Sequence, residues 1–215
     1  MKKKITLREQ NKIDKKDRIQ KAARRLFVDK GFDKTTTREI AELAHVGLAT
    51  LFLYASDKRD LLFLVYNDDL DELNHQAFEK IPDGLSFIQQ LLHIWGYFYR
   101  YYATIPDISR ALLKELIFFS EGKQCARFQA IRMDIVRGIS ELVEQAKARG
   151  EIHTTSDSYH VAEVIFYLFA LEVRVWLVRN KHPDPQAGLE RLAQTLEILM
   201  AGLDPKPGAL GPAQE

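Results

Sequence analysis

Two short helical patterns follow one another in residues 36–54 and are separated by a tight turn, AHVG. The first begins with TTRE, which fits a capping box: the Thr36 hydroxyl accepts a hydrogen bond from the Glu39 amide, and the Glu39 carboxylate reaches back. The second, LATLFLY, follows Gly47 and is almost wholly apolar. Because so short a turn sets two helices at a steep angle, the segment predicts a helix-turn-helix unit.

The rest of the chain also shows helical periodicity, and no run alternates convincingly as a strand would. An apolar stripe predicts a first helix over residues 15–30. A fourth helix is expected to start at Ser56 or Asp57 and to run to Pro82. Five further helical patterns lie between breaks rich in Gly, Pro and polar residues. We therefore expect an all-α protein of about nine helices, with an N-terminal three-helix unit and a C-terminal helical domain.

Charge is divided unevenly along the chain. Residues 1–60 contain 16 Lys and Arg against 9 Asp and Glu, whereas the whole chain contains 31 against 30. A basic first quarter on an acidic remainder suggests a unit that binds a polyanion, attached to a body with another task. A solvated basic face is the simpler alternative, so charge alone does not decide.

Several classes of protein are disfavoured by composition. The single cysteine, Cys125, permits no intrachain disulfide, and the longest apolar segment, 161–178, is interrupted by charged residues. The six histidines show no metal-ligand spacing, Cys125 has no evident base, and no glycine-rich phosphate loop appears. The start of the chain also lacks the apolar run of a signal peptide. We expect a cytoplasmic protein that is not an enzyme, with no catalytic residues, no metal, no cofactor and no membrane association.

The first quarter of the chain resembles the N-terminal domain of the TetR (tetracycline-repressor-like) family of transcriptional regulators. The family pattern is roughly T-T-x-R-[DE]-I-A-x-x-A-G-V-S-x-G-x-[LF]-Y-x-Y-F-x-x-K-x-x-L. The matching positions are Thr35, Thr36, Arg38, Glu39, Ile40, Ala41, Ala44, Val46, Leu51, Tyr54, Lys58 and Leu61. The sequence departs from the pattern at five positions. His45 replaces the turn glycine, Gly47 the capping serine, Leu48 a frequently polar residue, Phe52 the first tyrosine and Ala55 an aromatic residue.

The resemblance implies a repressor released from a pseudo-palindromic operator by a small hydrophobic or aromatic effector. The implied partners are double-stranded operator DNA, the effector and a second copy of the chain, bound through the last two helices. The long fourth helix would act as the lever that changes the spacing of the two DNA-binding units. For the dimer contact we favour the 161–178 helix and a stripe formed by Leu189, Leu192, Leu196, Leu199 and Leu203. The expected divisions are a basic arm at 1–14, a helix-turn-helix domain at 15–60, a ligand-binding and dimerisation domain at 61–203 and a disordered tail at 204–215.

Candidate DNA contacts lie in and around the helix-turn-helix. Arg38 can fork onto a guanine edge or a phosphate, whereas Thr50 and Tyr54 share one helix face and can grip the backbone. Apolar side chains beside them can read thymine methyl groups, which predicts A·T pairs under this helix. The alternatives are a core-edge Tyr54, a solvated Lys58 and an Arg38–Glu42 ion pair. The candidates are Thr36, Thr37, Arg38, His45, Leu48, Ala49, Thr50, Phe52, Leu53, Tyr54 and Lys58.

Candidate effector contacts are polar and aromatic side chains embedded in the apolar helices of residues 85–179. A mostly apolar cavity with a few polar anchors is typical of a small-molecule site, although most of these aromatic residues must be ordinary core. The candidates are His93, Trp95, Tyr99, Tyr102, Glu115, Phe119, Phe128, Arg132, Phe166 and Glu172.

Two other functions remain open from the sequence. One is a helical protein that binds a hydrophobic ligand or acts as a scaffold without specific DNA binding. The other is an enzyme, for which His93 and Glu115 would be the first residues to test. A gel-shift assay with DNA upstream of the gene would separate a DNA-binding regulator from a scaffold.

Overall fold

The computed structural model describes residues 6–116 and 119–202, and within these ranges the chain is all α-helical, as predicted. The described residues form nine helices, which are α1 (Leu7–Lys30), α2 (Thr37–Leu43), α3 (Leu48–Leu51), α4 (Lys58–Glu79), α5 (Phe87–Thr104), α6 (Pro106–Leu116), α7 (Cys125–Ala148), α8 (Ser158–Arg179) and α9 (Pro185–Ala201). We call α1–α3 with the residues up to Asp57 the head, and α4–α9 the body. The expected tail at 204–215 and the first five residues of the expected arm lie outside the described residues.

The first helix begins at Leu7, so the prediction of a start at residue 15 is wrong. A capping box starts it: the Thr6 hydroxyl accepts from the Glu9 amide at 3.2 Å, and the Glu9 carboxylate accepts from the Thr6 amide at 2.8 Å. The side chains of the first two turns are exposed and form no buried apolar stripe, and periodicity therefore gives no signal there. Residues 7–14 of the expected arm are helical.

The head is built around a small set of fully buried apolar side chains. Ile19 and Phe27 of α1 pack with Ile40 of α2 and with Leu51, all at 0 % exposure. The α2 capping box forms as predicted, with the Thr36 hydroxyl accepting from the Glu39 amide at 3.2 Å. The regular part of α3 ends at Leu51, and residues 52–54 continue it as a tightened turn with i→i+3 hydrogen bonds.

The long helix α4 joins the head to the body. Asp57 caps it by accepting a hydrogen bond from the Asp60 amide at 2.7 Å, which confirms one of the two predicted starts. All residues from 61 to 67 are buried, because α1 covers the helix on one side and α5, α6 and α7 cover the others. Among the described residues, none of the helices combines the length and the apolar composition that a membrane span requires.

Helix α9 packs tightly on α5, so two of the five leucines of the predicted dimer stripe belong to the chain's own core. Leu192 and Leu196 are fully buried, and a Cβ atom at Gly188 would lie only 2.4 Å from Tyr99 Cε1. Assigning these leucines to a dimer contact is therefore wrong: the most apolar face of α9 covers α5. Of the other stripe residues, Leu199 is partly exposed, and Leu203 lies outside the described residues.

Candidate functional site

The outer face of α2 and α3 presents several of the predicted DNA contacts to solvent. Leu53 is 73 % exposed and Leu48 is 38 % exposed, and Ala49 beside them is exposed as well. Arg38 is also exposed, and the described residues give it no ion pair, so the alternative pairing with Glu42 does not form. The surface therefore combines one uncommitted guanidinium with exposed apolar side chains.

The turn between α2 and α3 is built around His45, whose φ is +51°. This is the left-handed region, which glycine enters without a Cβ penalty and which His enters more readily than most residues. The Arg18 guanidinium donates to the His45 carbonyl at 3.4 Å and ties the turn to α1. The imidazole itself is exposed beside the start of α3.

Tyr54 and Lys58, both predicted to contact phosphates, are already hydrogen-bonded within the chain. The Tyr54 hydroxyl donates to the Lys12 carbonyl at 3.1 Å. The Lys58 ammonium donates to the carbonyls of Phe32 and Asp33 at 2.9 and 3.0 Å, and lies 4.6 Å from the centre of the Phe32 ring. The Tyr54 hydroxyl would have to exchange its only donated bond for a phosphate, whereas the Lys58 ammonium has a third N–H group to donate.

The first turn of α2 holds a charged cluster that fixes its start. The Lys30 ammonium hydrogen-bonds the Glu39 carboxylate, which also accepts from the Thr36 amide at 2.9 Å. The bond from Lys30 and those from Thr36 lower the pKa of Glu39 to about 2. Thr36 thus has a capping role, while Thr37 and Thr50 are half-buried at the edge of the same surface.

The body contains a partly open cavity of about 610 Å³ between α4, α5, α6, α7 and α8. Its lining is mostly apolar, and the polar groups in it include Tyr102, Gln129, Arg132 and Arg174. Five of the ten predicted effector contacts lie together on its wall, namely Tyr102, Phe119, Phe128, Arg132 and Phe166. A cavity of this size and lining is suited to a ligand with a long apolar part.

Neither cavity arginine has a carboxylate partner within 4.0 Å among the described residues. Arg174 Nε donates to the Leu113 carbonyl at 3.4 Å, and Arg132 Nε donates to Gln129 Oε1 at 3.1 Å. Burial lowers the pKa of the Arg174 guanidinium, which nevertheless stays charged at neutral pH. A half-buried cation without a counter-ion favours an anionic ligand group beside it.

The other five predicted effector contacts lie outside this cavity. Trp95 is fully buried with its ring stacked on Phe169, and Tyr99 is buried against Trp176. The remaining three are half-buried elsewhere. His93 hydrogen-bonds the Lys80 backbone, Glu172 pairs with Arg191 at 2.7 Å, and Glu115 is absent from the cavity wall.

Part of the chain matches the model of a known protein family. Residues 19–65 match the model of the bacterial regulatory proteins of the tetR family. The chain belongs to the TetR family. It is therefore a DNA-binding transcriptional regulator and not an enzyme. The described residues also contain no cluster of three or more His, Cys, Asp or Glu that could hold a metal ion.

Relatives of this TetR-family chain extend the likeness beyond the head. The HTH-type transcriptional repressor KstR of Mycobacterium tuberculosis is 23 % identical over 167 residues, which is 78 % of this chain and 73 % of KstR. The Thermus thermophilus repressor FadR, solved in complex with lauroyl-CoA, superposes with a TM-score of 0.70 at 23 % identity, over 93 % of this chain and 99 % of FadR. Bacillus subtilis FadR, solved in complex with stearoyl-CoA, gives a TM-score of 0.65 at 18 % identity, over 87 % and 98 %. The two structures establish that the whole TetR-family fold, and not only the head, is shared.

Sequence reasoning missed Arg174, the most informative polar residue of the cavity in this TetR-family protein. A charged side chain inside the apolar run 161–178 is a signal of a buried polar contact, and Glu172 carries the same signal two positions earlier. Residues two apart lie on nearly opposite sides of a helix, so only one of the two can face the cavity. The packing of α8 decides between them by turning Glu172 towards α9.

Proposed function

We propose that this chain is a repressor that binds a pseudo-palindromic operator as a homodimer and is released by an amphipathic anion of the acyl-CoA class. In this role residues 15–60 contact DNA, residues 61–203 bind the effector and the second copy, and the protein acts in the cytoplasm. The effector class is inferred from one observation: the cavity is mostly apolar and contains two arginines that lack carboxylate partners among the described residues.

An acyl chain and an anion together satisfy both halves of this cavity. The chain of a fatty acyl group would lie against the aromatic wall formed by Phe98, Phe128 and Phe169. Phosphate, carboxylate or thioester oxygens would accept hydrogen bonds from Arg174 and Arg132. A purely hydrophobic or aromatic effector would leave Arg174 half-buried without a counter-charge. The two FadR proteins that share this fold were solved with lauroyl-CoA and stearoyl-CoA, which supports the same class of effector here.

The dimer contact proposed here uses the exposed faces of α8 and α9. Leu171 and Val178 of α8 are 57 % and 78 % exposed, and Ile198 of α9 is 60 % exposed. Apolar side chains of this size are normally covered when several lie on adjacent helices. Two-fold symmetry would place the two α3 helices about one DNA turn apart, at roughly 34 Å.

Operator recognition is proposed to combine apolar readout with a few polar contacts. Leu48, Ala49 and Leu53 offer no hydrogen bonds and would contact thymine methyl groups, which favours A·T pairs under α3. Arg38 and His45 would supply guanine contacts. Backbone contacts from Thr36, Thr37, Thr50, Tyr54 and Lys58 would carry most of the affinity and make it depend steeply on salt. Phe52 is half-buried against the head and would support its neighbours.

Calorimetric titration with lauroyl-CoA tests the effector assignment directly. Arg174→Met is expected to weaken binding by about 10- to 100-fold, because it removes a charge-assisted hydrogen bond. Arg137→Met on α7 is the matched control, since this exposed arginine pairs with Asp134 on the surface and does not line the cavity. Equal affinities for wild type and Arg174→Met would remove Arg174 from the site, and no binding by wild type would reject the effector class.

A further inference from the structure

The segment between α6 and α7, at residues 119–124, touches both the cavity and the head. At its first end, Phe119 and Ser120 line the cavity. The Phe119 ring stacks on Phe63 of α4, with 3.6 Å between ring centres and planes 9° apart. A ligand that enters the cavity therefore meets a ring whose position is set by α4.

The second end of the segment reaches the last residues of the helix that faces DNA. The Lys123 ammonium donates to the Phe52 carbonyl, and Gln124 Nε2 donates to the Tyr54 carbonyl at 3.0 Å. These carbonyls follow the end of α3, where no further helical turn supplies donors. Two side chains from the body thus complete the hydrogen bonding of a head helix that has only four residues.

Asp60, in the first turn of α4, links the segment to the residues that follow α3. Its carboxylate is 1 % exposed and accepts from three backbone amides: Ser56 at 2.7 Å, Lys123 at 2.9 Å and Gln124 at 2.9 Å. A buried carboxylate is stable only when such donors surround it. The carboxylate therefore holds the link after α3 and the start of α7 in one arrangement.

Gly122 allows this close approach. Its φ is +125°, and a Cβ atom there would lie 2.7 Å from Asp60 Oδ1. The position excludes any larger residue on both counts, because the backbone conformation and the space each require glycine. The tight fit means that a shift of the segment is passed to Asp60 and is not absorbed by loose packing.

We propose that residues 119–124 transmit occupancy of the cavity to the DNA-contacting helix, with Lys123 and Gln124 as its positioning residues. This inference rests on the function proposed above and adds a local route, through the end of α3 and the first turn of α4, to the change in spacing of the two heads. An effector that displaces Phe119 draws the start of α7 away, and the carbonyls of Phe52 and Tyr54 lose their donors. The end of α3 then frays and its exposed side chains no longer meet the groove together.

The test compares wild type with the double variant Lys123→Met/Gln124→Leu, using lauroyl-CoA and a fragment of the DNA upstream of the gene. Wild type should lose operator affinity by about 5- to 150-fold on adding lauroyl-CoA, the usual range of allosteric coupling. The double variant should bind lauroyl-CoA at least as tightly as wild type, because the ligand no longer has these contacts to break, but it should show less than about a twofold effect on DNA, since its α3 is already released. Lys114→Met removes the same charge from the exposed face of α6 and should respond as wild type does.

Hydrogen exchange of the amides of residues 48–56 provides a readout that needs no DNA. Lauroyl-CoA should speed exchange there in wild type, and the double variant should exchange fast with or without it. A double variant that responds to the ligand as wild type does would overturn this inference alone. If wild type binds no lauroyl-CoA, or binds it without losing operator affinity, the proposed function is rejected, and this inference is rejected as well.

Discussion

The head and the body keep their functional side chains in opposite places. In the head a small core formed by Ile40, Leu51 and their neighbours is covered, and the proposed contacts lie outside it on the surface. In the body the proposed contacts line a partly open cavity between helices and share those helices with the core. Stability and function should therefore separate cleanly under mutation in the head, and only with carefully chosen residues in the body.

The largest expected effect concerns Trp95, a residue of the body that is buried in the core and does not line the cavity. Trp95→Ala should lower the free energy of unfolding by about 3–5 kcal/mol, because it removes a fully buried ring stacked on Phe169. Urea denaturation measures this, with Tyr159→Ala on the exposed face of α8 as a control that changes little. A stable Trp95→Ala variant that has lost lauroyl-CoA binding would show that Trp95 belongs to the site.

Two leucines of the same short head segment sharpen the comparison. Leu51→Ala should cost about 2–5 kcal/mol of stability, since Leu51 is fully buried. Leu53→Ala should change stability by less than about 0.5 kcal/mol because the side chain is mostly exposed. It should nevertheless weaken operator binding by about 1 kcal/mol or more, the scale of one lost base contact. Operator binding unaffected by Leu53→Ala would refute apolar readout at that position.

His45→Gly should raise stability while lowering operator affinity. Glycine relieves the Cβ penalty at φ +51°, which we expect to add about 0.5–1 kcal/mol. Thermal unfolding measures the gain, and anisotropy of labelled operator DNA measures the loss of the imidazole contact. Higher stability with unchanged operator binding would leave His45 a structural role only.

The smallest effect is a pH dependence in the head. Because the folded pKa of Glu39 lies near 2, below its usual 4.5, this carboxylate contributes stability above pH 4.5 that is lost as the pH falls towards 2. Glu39→Gln keeps a capping box but cannot titrate, so its stability should fall less than that of wild type between these values. Chemical unfolding at pH 5 and pH 3 measures how much the free energy of unfolding falls in wild type and in Glu39→Gln. Equal falls in the two proteins would contradict the role of Glu39.

The sequence predicts the head far better than the cavity, for a physical reason. Capping boxes and short turns are local, so the start of α2 and the burial of Leu51 follow from residues a few positions apart. The cavity wall combines five helices that are apolar on most sides, and spacing does not show which neighbour each residue meets. Trp95 and Phe98 are three apart on one face of α5, yet Trp95 packs into the core and Phe98 lines the cavity. The packing of α8 likewise separates Glu172 from Arg174.

Release of DNA by an acyl chain is the most direct test of the central claim. Fluorescence anisotropy would follow labelled upstream DNA bound to the wild-type protein, with lauroyl-CoA added below its micelle-forming concentration and with free CoA as the control. We predict that lauroyl-CoA weakens DNA binding by about fivefold or more, that CoA does not, and that Arg174→Met requires more lauroyl-CoA for the same release. Equal effects of CoA and lauroyl-CoA, or DNA binding that persists when the cavity is saturated, would contradict the account.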